Sequence, residues 1–101
     1  MATNEKAQRS TDVETHPLVL TDWMDAGDTL SSVTVSSVTP TTSPPLSVAP
    51  LDYVNYTLAT ATKPVVRATG GVTGNRYTVA LLIETTGSRK KTEVIYWTIK
   101  D

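Results

Sequence analysis

A single histidine, His16, limits the acid–base or nucleophilic chemistry open to this 101-residue chain. Any imidazole-based arrangement has to use it. It lies in a polar stretch beside Pro17, far in sequence from any rigid scaffold, and a site needs convergent neighbours. The expectation is an exposed or docking residue. The chain has no cysteine, which removes disulfides, thiolate nucleophiles and thiolate metal sites together. No Gly-x-Ser-x-Gly elbow and no phosphate loop is present. Gly70, Gly71 and Gly74 form a glycine-rich run, but a strand pattern follows it instead of a helix whose terminus could hold an anion. The glycines are therefore read as turns. Asp22, Asp25 and Asp28 are spaced by three, whereas calcium loops usually space their carboxylates by two. Capping one short turn accounts for them. No catalytic residue, cofactor or metal is expected, and the chain reads as a non-enzyme.

Other side chains suit contact better than catalysis. Trp23, flanked by acids on a short turn, reads as a core plug or a lid on one end of the fold. Trp97 lies inside an apolar alternation and reads as core. Arg89, Lys90 and Lys91 cluster in a hairpin loop, either as a solvated tip or as a patch that meets an acidic partner. Net charge is −1 with no long basic run, so no nucleic-acid footprint is expected. No apolar run approaches the ~20 residues of a membrane span. The polar start, Met1 to Ser10, lacks the apolar stretch of a signal peptide, and export by such a signal is not expected.

The elements that position these groups follow from composition. The chain carries 19 Thr and 8 Ser, and its apolar fraction is carried by Val, Leu, Ile and Tyr rather than Phe, which is absent. Branched β-carbons suit a pleated surface, so the fold class is all-β. Residues 1–17 show neither period and read as an extended N-terminal docking arm, dispensable for the fold of a domain over 18–101. Leu18 to Leu20 read as a short strand and 21–28 as one helical turn. That turn would be capped by Thr21 or Asp22 and ended by Gly27. Leu30, Val33, Val35 and Val38 alternate with one slip, which a bulge at Ser31-Ser32 absorbs. Residues 39–50 carry four prolines and read as loop or edge. Residues 53–62 read as a strand with Val54, Tyr56, Leu58 and Thr60 inward, and 64–69 follow as the next segment.

The last two strands make the best-specified hairpin. Tyr77, Val79, Leu81 and Ile83 form one period-2 set and Ile95, Trp97 and Ile99 another. Both sets face one core across a loop of odd length, Gly87 to Lys91 or Gly87 to Arg89. Leu82, Val94 and Tyr96 then point out of the other face, which is more apolar than an exposed face requires. Six to eight short strands with regular turns predict an antiparallel sandwich.

The stretches "LVLTDWMDAGDTLSSVTVSS" and "GGVTGNRYTVALLIETTGSRKKTEVIYWTIK" resemble the phage fiber-tail adaptor family. Asp22-Trp23, Gly27-Asp28-Thr29-Leu30, Gly70-Gly71, Gly74 and Tyr77-Thr78-Val79 match its pattern in order, over about two-thirds of the chain. The proline-rich Thr39 to Pro50 stretch and the apolar Val94 to Trp97 run depart from it. The resemblance implies an immunoglobulin-like β-sandwich in the virion of a tailed phage, made in the host cytoplasm. It implies an adaptor at the neck or tail that attaches fibers or bridges connector subunits. Its implied partners are tail fiber, connector or portal-proximal proteins, in multiple copies around a ring. His16, Leu82, Arg89, Lys90, Lys91, Val94 and Tyr96 are the candidate contact residues. The alternative is a carbohydrate-recognising sandwich, which would line a groove with Tyr53, Tyr56 and Trp23.

Overall fold

The structure, a computed structural model, describes residues 5–20 and 23–100. Seven strands follow in order: β1 Glu5–Gln8, β2 Val13–Pro17, β3 Leu30–Thr39, β4 Leu46–Leu51, β5 Val65–Gly70, β6 Arg76–Thr85 and β7 Lys90–Ile99. They form a four-stranded sheet, β1-β7-β6-β3, and a three-stranded sheet, β2-β5-β4. All pairings are antiparallel except β1 with β7. The chain therefore folds as a β-sandwich with immunoglobulin-like connectivity, except that its first strand joins the sheet of the last instead of lying beside β2. No α-helix occurs among the described residues.

Alternation builds the core. Tyr77 lies opposite Trp97 and Val79 opposite Ile95, and these four side chains are fully buried with Leu81, Ile83 and Ile99. The hairpin closes as Thr85 N–H bonds to Arg89 O, leaving an odd number of residues between them, but one residue earlier than either expected loop. Strand β3 keeps Leu30, Val33, Val35 and Val38 opposite Thr85, Ile83, Leu81 and Val79 through two bulges. The first falls at the expected Ser31-Ser32, and the second, between Val35 and Ser37, absorbs the three-residue step to Val38. The proline-rich stretch supplies β4, an edge strand, as expected.

The turn "GGVTGNRY" is a tyrosine corner. Tyr77, second residue of β6, accepts a hydrogen bond at its hydroxyl from Val72 N (2.9 Å), and that hydroxyl also bonds Thr42 Oγ1 (2.7 Å). Gly71 has φ 84°, and a Cβ there would lie 3.0 Å from Ile99 Cγ1 and 3.3 Å from the Tyr77 ring. Only glycine gives both the left-handed backbone and the close approach.

Several expectations change. Residues 5–17 do not hang from the sandwich as an arm: β1 joins one sheet and β2 the other, across a turn closed by Asp12 N to Arg9 O. No period reveals this, because the residues on the core side are Lys6, Gln8, Glu14 and His16, all polar, and of these only Gln8 is buried. Leu18 to Leu20 is not a strand, although Leu18 and Leu20 are buried. Residues 53–62 are turns, with Asp52 and Asn55 at φ 59° and 60° breaking any extended run. Tyr56 is buried there but Val54 is 72% exposed. The expected helical turn shows as single turn bonds, from Trp23 N and Met24 N to Leu20 O and from Asp28 N to Asp25 O, and its capping candidates Thr21 and Asp22 lie outside the described residues.

Gln8 fixes the first strand. Its side-chain carbonyl accepts from Trp97 Nε1 at 2.7 Å, and its amide nitrogen donates to Ala68 O and Asp12 O, each at 3.1 Å. The group is buried and bridges both sheets. Replacing Gln8 with Ala strands the indole N–H and is expected to cost about 1–3 kcal/mol. Trp97→Ala is expected to cost about 3–5 kcal/mol through the cavity it leaves. Denaturant unfolding of both variants checks the two figures. Removal of residues 1–15 is expected to destabilise the fold as well, measured the same way.

Candidate functional site

Two regions hold the residues that sequence reading selects. One is the end of the sandwich where residues 23–29 and the β6–β7 turn meet. Asp28 is buried there, and its Oδ1 accepts from Thr29 N (3.0 Å), Gly87 N (3.1 Å) and Thr86 Oγ1 (3.4 Å). A Cβ on Gly87 would lie 3.1 Å from that same oxygen, so the turn closes directly onto the carboxylate. The Thr85 hydroxyl contributes the largest stabilisation of the charged form. With the Thr29, Gly87 and Thr86 donors it outweighs desolvation and holds the Asp28 pKa below the ordinary 3.8. The Gly27-Asp28-Thr29 step is thus a clasp on the hairpin, and no group of carboxylates or imidazoles there could hold a metal among the described residues.

The basic residues of the tip are engaged within the chain. Arg89 lies over the Trp23 ring at 5.3 Å and pairs with Asp25 at 3.1 Å. Lys91 approaches the same ring at 5.9 Å and pairs with Glu93 at 3.1 Å. Lys90, the most exposed of the three, reaches Glu84 at 3.5 Å. Trp23 is half-buried against the core under these cations. Sequence reading left the tip as solvated or partner-bound; a cation-covered indole had no signal beyond charge proximity.

The second region is the outer face of the four-stranded sheet. Thr34, Leu82 and Thr92 lie in one row, Ala80 and Val94 in the next, and Thr78, Tyr96 and Glu5 in the third. Leu82 and Val94 are half-buried, while Tyr96 is 38% exposed. Arg76 stacks over the Tyr96 ring at 4.4 Å and holds Glu5 at 2.7 Å, which props the tyrosine in place. The face is an apolar band framed by threonines. Its interior side is the core, so each of these residues is set outward by the same alternation that buries Trp97 and Ile95.

His16 belongs to neither region. It turns inward from β2, and its ring meets the edge of Trp97 with centroids 6.2 Å apart. Burial lowers its pKa from 6.5, Lys6 adds to the lowering, and Glu93 opposes it. The aromatics required by a sugar-binding groove do not line one: Tyr56 is 2% exposed and Trp23 is covered by Arg89 and Lys91.

The family model of the podophage GP4 fiber-tail adaptor protein gp77 matches residues 8–97. The chain belongs to this family. The match takes in Gln8, both bulges of β3, the Asp28 clasp, the tyrosine corner and the outer sheet face. It makes the protein a structural phage tail adaptor, a virion component whose work is contact with other virion proteins. No match was found among curated proteins, and none among solved structures.

Both shifted groups give testable pH behaviour. Asp28 has a folded pKa below its unfolded value, so its contribution is complete above about pH 3.8. It is lost as pH falls through the folded value. Asp28→Asn is expected to lower the melting temperature at neutral pH, with the gap to the parent closing in strong acid. His16 also has a lowered folded pKa, so the protein should lose stability as pH falls from about 6.5. His16→Gln should flatten that part of a melting-temperature profile.

Proposed function

We propose that this adaptor sits at the neck or tail of the particle and joins fibers to it, or bridges connector subunits, without any bond chemistry. Copies would stand in a ring, after synthesis in the host cytoplasm. The observation that carries the reading is the family match over residues 8–97, which takes in β2 to β6 whole and most of β7. The contact surface we assign is the outer face of the β1-β7-β6-β3 sheet, centred on Leu82, Val94 and Tyr96, with Lys90 at its hairpin rim. A half-buried apolar band framed by polar residues has the make-up of an interface core and rim. Tyr96, pre-oriented by Arg76, loses little conformational entropy on contact.

Arg89 and Lys91 cover Trp23, His16 packs on Trp97, and none of the three lies on this face. Strand β1 supports β7 from its edge, while β2 pairs with β5 in the other sheet. A Tyr96→Ser, Leu82→Asp double variant is expected to keep its melting temperature within a few degrees of the parent. It is expected to lose fibers from assembled particles, or fail to enter them, as read by particle composition. Normal incorporation and normal fiber content would remove this face from the contact surface.

A further inference from the structure

Four strands lie at sheet edges among the described residues, and three carry features that hinder pairing with another chain. Strand β3 has two bulges. Strand β4 contains Pro50 and follows Pro44 and Pro45. Strand β1 is four residues long and begins with the charges of Glu5 and Lys6. Strand β2 differs. Its five residues pair with β5 in unbroken register, with a proline only at the end, and Val13 is 60% exposed. In constant-type immunoglobulin domains the first strand covers this edge. Here the first strand has joined the other sheet, so no strand among the described residues lies beside β2.

We propose that the edge of β2 pairs with β2 of a second copy of this chain, antiparallel about a two-fold axis through Thr15. The occupant follows from the sequence of the strand. Glu14 and His16 lie opposite the buried Ala68 and Val66 on the inner side of the sheet, His16 half-buried and Glu14 exposed at the edge; Val13, Thr15 and Pro17 are on the outer side. Only pairings that match inward with inward keep both copies in register, since a one-residue slip reverses every side chain. Centring on Thr15 meets this condition and pairs all five residues. It sets Glu14 opposite His16 of the other copy twice, Thr15 opposite Thr15, and Val13 opposite Pro17. Centring on Glu14 would instead oppose two carboxylates, and centring on His16 would pair only three residues. The Glu14 carboxylate accepts from an imidazole N–H in either protonation state of the ring. Lys6, 3.7 Å from Glu14, adds a second donor to each end of the contact. The arrangement is isologous, which closes as a dimer and does not propagate. It doubles the three-stranded sheet and leaves the outer face of the four-stranded sheet available, so it does not depend on the fiber-adaptor reading.

Sedimentation of the intact chain over a range of concentrations tests this pairing. A concentration-dependent dimer is expected. Thr15→Lys and Thr15→Glu each put two like charges at the axis and should weaken self-association by about tenfold or more. Thr15 is exposed on the outer side of the sheet, so both variants should melt like the parent. An equimolar mixture of the two variants should recover the dimer, because Lys then faces Glu. A parent that stays monomeric at every concentration would overturn the proposal. So would a dimer indifferent to both substitutions, or a mixture that fails to recover it.

Discussion

The amide of Gln8 joins parts of the chain that otherwise have little reason to meet. Its oxygen takes the indole proton of Trp97 and its nitrogen reaches the backbone of Ala68 in the opposite sheet and of Asp12 in the turn. An indole N–H buried without an acceptor is costly, so Trp97 can fill the core only where this strand is in place. The parallel pairing of β1 with β7 then follows, with Lys100 N bonding Gln8 O to continue the ladder. Trp97 in turn forms the wall against which His16 and β2 pack. One polar side chain thus commits the N-terminal segment to the sandwich and sends its two strands to different sheets.

A division of labour between the two faces of β6 and β7 results. Inward residues make a dry core closed at one end by the tyrosine corner and at the other by Asp28. Outward residues at the same alternation carry Leu82, Val94 and Tyr96. Because the core side is rigid, the outer band is presented as a preformed surface, and a contact made with it needs no reordering of the backbone. That suits an adaptor, whose partners must find the same shape in every copy.

Much of this was legible in the sequence where apolar alternation is strong. Strands β3, β6 and β7, the first bulge and the inside–outside register of the last hairpin could all be read from period-2 patterns. The glycine turn was recognisable as a turn, although its role as a tyrosine corner was not, since that depends on where the Tyr77 hydroxyl points. Residues 5–17 misled for a physical reason: Lys6, Gln8, Glu14 and His16 occupy the core-side positions, and polar residues there leave no hydrophobic period. Residues 53–62 misled in the opposite way, because Tyr53, Tyr56 and Leu58 pack on the core from turns. Of the candidate contact residues, charge alone did not distinguish Arg89 and Lys91, which cover Trp23, from side chains that face a partner.

The central claim is that the outer face of the four-stranded sheet is the surface through which this adaptor holds its partners. Electron cryo-microscopy of the intact particle, at a resolution that traces side chains, tests it most directly. The account predicts this chain at the tail, with Leu82, Val94 and Tyr96 buried against another virion protein. A position on the head surface, or that face open to solvent while contacts are made elsewhere, would contradict it.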